Sequence, residues 1–119
     1  MNREIKFRGK HLNKWIYGYL LKNIDDNKYY ISVSLDQFYQ VKEETIGQYT
    51  GLKDKNGVEI YEGDIVKYEG EDTSYVVMFD PTGYWCLDGN GARNSEMLYY
   101  EDIFKHLEII GNIYENEVD

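Results

Sequence analysis

Apolar and polar residues alternate most cleanly over "KYYISVSL", residues 28–35, where Tyr29, Ile31, Val33 and Leu35 share one side and Tyr30, Ser32, Ser34 the other. A side-chain period of two is that of a half-buried strand. Upstream, "KWIYGYLLK" (14–22) is apolar on both sides, and Asp25-Asp26-Asn27 supplies turn chemistry between the two segments. Residues 15–22 and 28–35 are therefore expected to pair antiparallel. "REIKFRG" (3–9) reads as a first strand, with Ile5 and Phe7 inward and Glu4, Lys6 and Arg8 outward. Residues 36–47 carry no decisive pattern.

The second half is divided by turns. Asn56-Gly57 is a strong hairpin signal and predicts a type I′ turn, with positive φ at both residues, between strands near 48–52 and 58–61. Glu62-Gly63-Asp64 makes a further corner before "IVKY" (65–68), and "EGEDTS" (69–74) is an acidic loop before "YVVMF" (75–79). Asp80-Pro81-Thr82-Gly83 fits a type I turn, followed by "YWCL" (84–87) and the glycine-rich "DGNGAR" (88–93). The spacing of Tyr100, Ile103, Phe104 and Leu107 predicts a short helix near 96–106 with Ser95 as its N-cap, and "LEIIGNIY" (107–114) returns to strand. Short strands with one short helix before the last predict a mainly β protein. It comprises a β-rich segment over 1–50, packed on a small SH3-like barrel over 51–119.

The stretches "QYTGLKDKNGVEIYEGDIVKY" (48–68), "EIIGNIYEN" (108–116) and "MNREIKFRG" (1–9) together resemble the YopX family, over nearly the whole chain. The resemblance implies a phage- or prophage-encoded protein with a C-terminal SH3-like barrel, and it carries over no catalytic residues. One departure is the ending, Glu115-Asn116-Glu117-Val118-Asp119, where the family usually continues into a proline-containing tail.

Composition narrows the function. The 119 residues are 42% hydrophobic and 16% aromatic, with 13 tyrosines, so a core can be buried. Twenty-two acids against thirteen bases give a net charge of −9, which repels phosphate backbones and makes direct nucleic-acid binding the less expected mode. Basic residues do gather at Arg3, Lys6, Arg8, Lys10 and Lys14. The lone Cys86 fits a reducing cytoplasm, and the charged start without an apolar run reads as neither signal peptide nor membrane anchor.

Chemistry is sparse. Glu59, Glu62 and Asp64 are the densest acidic set near a tight turn, but a Gly-Asp corner is turn chemistry first, and "EGEDTS" lacks the ligand spacing of a calcium loop. His11, His106 and Cys86 are too few for a Cys/His zinc site, and "YWCL" reads as packing, so neither a metal, a cofactor nor an enzymatic reaction is expected. "DGNGAR" has none of the Lys-Ser/Thr of a phosphate cradle. The candidate binding set is Tyr61, Tyr68, Tyr84 and Trp85, expected around the barrel loops, with Glu62 and Asp64 beside them; for Trp85, packing in the core is the favoured role. The surplus of tyrosine and the acidic balance point to a protein-interaction or self-assembling module. Its expected partners are further copies of itself or a basic host or phage protein; an SH3-like protein associated with nucleic acid is the alternative.

Overall fold

The computed structural model describes residues 5–79, 85–89, 92–97 and 100–115. The chain is mainly β, in two antiparallel sheets, and divides into two units, the first ending at Tyr49 and the second starting at Thr50.

In the first unit, β1 (Phe7–His11) turns at Leu12, which takes a φ of 56°, into β2 (Lys14–Asn23). Five residue pairs, from Phe7↔Gly18 to His11↔Lys14, fix that register. The outer half of β2 pairs with β3 (Lys28–Ser34), from Tyr19↔Ser32 to Asn23↔Lys28. The connecting turn is closed by side chains: Asn23 Oδ1 accepts from Asp25 N and Asp26 Oδ1 from Lys28 N, while Asn27 holds a φ of 61°. The stretch with no decisive pattern contains β4 (Gln37–Gln40), which pairs with β3, and a 3₁₀ turn, Glu43–Thr45. Thr45 is buried; its hydroxyl accepts from Lys10 N at 2.9 Å and donates to Lys42 O at 2.7 Å. The chain then enters β5 (Gly47–Lys53), whose first residues pair with β1.

The expected orientation of the first strand is corrected. The strand is Phe7–His11; Ile5 is exposed, whereas Arg8 and Lys10 are buried. Both cations lie over the ring of Trp15, at 4.4 and 5.5 Å from its centroid, and Lys6 lies 5.5 Å over Tyr49. Long aliphatic stems and ring faces are what let such residues go under cover. The alternation of β3 also overstates its burial: Ile31 is fully buried, but Val33 and Leu35 face solvent.

The second unit begins within β5 and continues through β6 (Glu59–Tyr61), β7 (Asp64–Tyr68), β8 (Ser74–Phe79), β9 (Trp85–Gly89), β10 (Ala92–Met97) and β11 (Leu107–Asn112). Strand order is β4-β3-β2-β1-β5-β6 in one sheet and β10-β9-β8-β7-β11 in the other, and no pairing among the described residues closes either into a barrel. Ile60, Val66, Val77, Trp85, Leu87 and Leu107 form the core, with Leu52, Tyr68, Tyr75, Ile103, Phe104 and Ile109 packed against it.

Three local expectations change. Positive φ falls on Gly57 (81°) and not on Asn56, so the turn is not type I′. Gly57 N instead bonds Asp54 O, and Asp54 Oδ1 accepts from Asn56 N and Val58 N. The helix expected over 96–106 is a strand to Met97 followed by a 3₁₀ turn, Tyr100–His106, and Ser95 lies within β10 instead of capping a helix. Pairing of Glu96 with Leu87 and Met97 with Cys86 gives this backbone its hydrogen bonds in a ladder. The same pairing, Ala92↔Gly89, draws the ends of "DGNGAR" into strands. The Asp80–Gly83 turn lies outside the described residues. No helix among those described is long and apolar enough to cross a membrane.

Candidate binding face

The residues singled out from the sequence do not form an exposed cluster. Tyr61 is 2% exposed and its hydroxyl donates to Glu59 Oε1 at 3.0 Å. Asp64, equally buried, accepts from Tyr61 N at 2.8 Å and so fixes the Gly63 corner. Trp85 sits in the core, edge-on to Phe79 at 4.7 Å. Tyr68 packs at the core's margin, edge-on to Tyr75 at 6.0 Å, and Glu62 is half-buried. Tyr84 lies outside the described residues. The expectation of a surface aromatic is thus corrected for Tyr61, while Trp85 takes the core place favoured for it, because a small core fills its volume with the large rings nearest to it. Among the described residues no three His, Cys, Asp or Glu side chains are grouped to hold a metal ion.

Exposed rings are found instead on the first unit. Side chains of a strand alternate between faces and paired residues share one. The registers therefore gather Arg8 and Lys10 of β1, Trp15, Tyr17, Tyr19 and Leu21 of β2, Tyr30 and Ser32 of β3, and Phe38 of β4 on a single face. Tyr17, Tyr19, Leu21 and Phe38 are 45%, 68%, 42% and 50% exposed. Ser32 stands between Tyr19 and Phe38 across the sheet. Beside it Leu21, Lys22, Asn23, Tyr30 and Phe38 line an open depression. Tyr30 is held in place there: its hydroxyl donates to Asp26 Oδ2 at 2.6 Å. That bond, with the one from Lys28 N, holds the Asp26 carboxyl below the usual aspartate range, and the same carboxylate raises the Tyr30 phenol.

β1 to β4 contain five Lys or Arg, eight aromatic residues, and no Asp or Glu. Residues 1–49 carry eight bases against six acids, and residues 50–117 carry five against fifteen. The net charge of −9 therefore belongs to the second unit. The odd-numbered run Trp15, Tyr17, Tyr19, Leu21 was the signal in the sequence that could have disclosed this face; "KWIYGYLLK" reads as apolar on both sides until β1 and β3 fix which side each residue takes.

Residues 6–118 match the family model described as YopX protein. The chain belongs to the YopX family. The match spans both units of this YopX chain and includes the whole face described above. A solved structure, that of protein EF1440 from Enterococcus faecalis, is similar to it over 97% of this chain and 96% of that one, with 24% identity and a TM-score of 0.55. At that identity the likeness is one of fold. No curated protein matches the YopX chain.

Proposed function

We propose that the chain is a non-enzymatic binding module of a phage or prophage, working in the cytoplasm of its host through the open face of β2, β3 and β4. The observation that carries this reading is the row Tyr17, Tyr19, Leu21 and Phe38, left in solvent on one side of an ordered sheet. Contiguous apolar exposure of that kind marks an interaction site more often than it serves the fold. The second unit we read as SH3-like. Its order β10-β9-β8-β7-β11 and its 3₁₀ turn before the last strand support that. Its fifteen acids against five bases favour a basic protein as that unit's partner.

Self-association is the second reading. It is favoured by β4, a four-residue strand at the end of its sheet's order, since an edge strand offers unpaired backbone groups to another chain. The test is a chain with both Tyr19→Ser and Phe38→Ser. If the rings serve binding, its stability to urea falls by less than about 1 kcal/mol, as for surface substitutions. A loss above about 3 kcal/mol, the range of core truncations, would make the rings structural and overturn the reading. Light scattering on both chains then tells whether the face joins copies.

A further inference from the structure

We infer that this face binds single-stranded nucleic acid, an assignment of partner that rests on reading the face as a binding surface. Stacking on a base requires exposed rings on a rigid support, with cations within reach of the backbone. Tyr17, Tyr19 and Phe38 are 45%, 68% and 50% in solvent on β2 and β4, and Tyr30 of the intervening β3 lines the depression beside Phe38. Strands lie about 4.8 Å apart, so Tyr19 and Phe38, one strand removed from each other across the small Ser32, stand roughly 10 Å apart, room for a planar base to enter. Lys28, paired with Asn23 at the end of the depression, is the exposed cation of this face, while Lys22 turns to the other one, its Nζ 5.3 Å over the Tyr29 ring. Arg8 and Lys10 share the face but are buried and stacked on Trp15, so Lys28, and not they, is within reach of a backbone. β1 to β4 carry no carboxylate of their own; the turns between β2, β3 and β4 carry Asp25, Asp26 and Asp36, and Asp26 is engaged by Tyr30.

A charge of −9 argues against phosphate binding only if it is spread evenly. It is not: residues 1–49 are net basic, and charges are screened beyond about 8 Å at physiological salt. Duplex DNA is a poorer fit, because its base faces are stacked inside and no long helix is present among the described residues to enter a groove. An acidic peptide would engage the lysines and leave four rings without a role.

The experiment is fluorescence anisotropy of a labelled oligothymidylate and an oligouridylate of about a dozen nucleotides, against the same DNA sequence as duplex, using the full chain at low salt. Either single strand binds in preference to duplex, and affinity falls as salt rises. Tyr19→Ala and Phe38→Ala each weaken it roughly tenfold, the usual loss for one stacked base. Lys28→Gln lowers the slope of log K against log salt by about 0.7, the share of one phosphate contact, and Lys22→Gln on the other face does not. Absence of binding, preference for duplex, or indifference to Tyr19 and Phe38 overturns the inference. The underlying reading fails separately, through the stability of the Tyr19→Ser, Phe38→Ser chain.

Discussion

Asp54 binds three backbone groups with one carboxylate. Oδ1 accepts from Asn56 and Val58 within the hairpin, and Oδ2 accepts from Ile109 N at 3.1 Å, which ties the hairpin to β11. Ile109 is half-buried, so its N–H left behind would be short of a partner at about 1–3 kcal/mol, whereas Asn56 and Val58 are exposed and can turn to water. Asp54→Ala should therefore lower stability by roughly 1–3 kcal/mol, and Asp54→Asn by less, since its single carbonyl oxygen still serves one side. Equal losses from the two, read by urea unfolding, would contradict the shared-acceptor account. Glycine substitutions separate strain from collision. A Cβ at Gly57 (φ 81°) meets nothing within 4 Å, so Gly57→Val costs backbone strain, about 1–2 kcal/mol, and Gly57→Asn less. At Gly63 (φ 93°) the same atom would lie 2.9 Å from Tyr114 Cε2, so Gly63→Ala should cost more than Gly57→Ala despite the identical change.

At the level of elements, the β2–β3 hairpin has a titratable latch. The Tyr30 hydroxyl on Asp26 depresses the acid's pKa and raises the phenol's. A depressed acid stabilises the fold above its unfolded pKa, near 4, and loses that contribution as pH falls through the folded midpoint; a raised phenol contributes below about 10 and loses it as pH climbs through its own. NMR titration should place the Asp26 midpoint below that of an ordinary aspartate, and Tyr30→Phe should bring it up; an unmoved midpoint in that variant removes the latch. Elements with a clean period or strong turn residues were legible in the sequence: the β2–β3 pair, the strands around Gly57 and Gly63, and "YVVMF". β10 was not, because "ARNSEM" has neither alternation nor β-branched residues and is a strand only by virtue of β9 beside it. The candidate face was legible only in part. Its rings are plain in the sequence, but burial of Tyr61 and Trp85 and exposure of Tyr17, Tyr19 and Phe38 depend on which strands become neighbours.

Across the whole molecule, charge is divided as the chain is. Residues 50–117 hold ten more acids than bases, and of these acids Asp54 and Asp64 are buried and hydrogen-bonded in turns, while Glu69, Glu71, Asp72 and Glu115 lie on the surface. The few bases offset little: Lys55 lies 3.7 Å from Glu69 and 4.0 Å from Glu108, both partly solvated pairs of small net value. The second unit thus repels itself at low ionic strength, and the first, with two more bases than acids over residues 1–49, does not. Screening shortens the range of that repulsion from about 30 Å at 0.01 M to about 8 Å at 0.15 M. Sodium chloride should therefore slow native-state hydrogen exchange in β7, β8 and β11, by up to an order of magnitude where exchange needs the unit to open, while β1 to β3 change little. Uniform protection across both units would mean that salt acts through the hydrophobic cores. Faster exchange in β7 and β8 at higher salt would mean that the Lys55 pairs outweigh the repulsion.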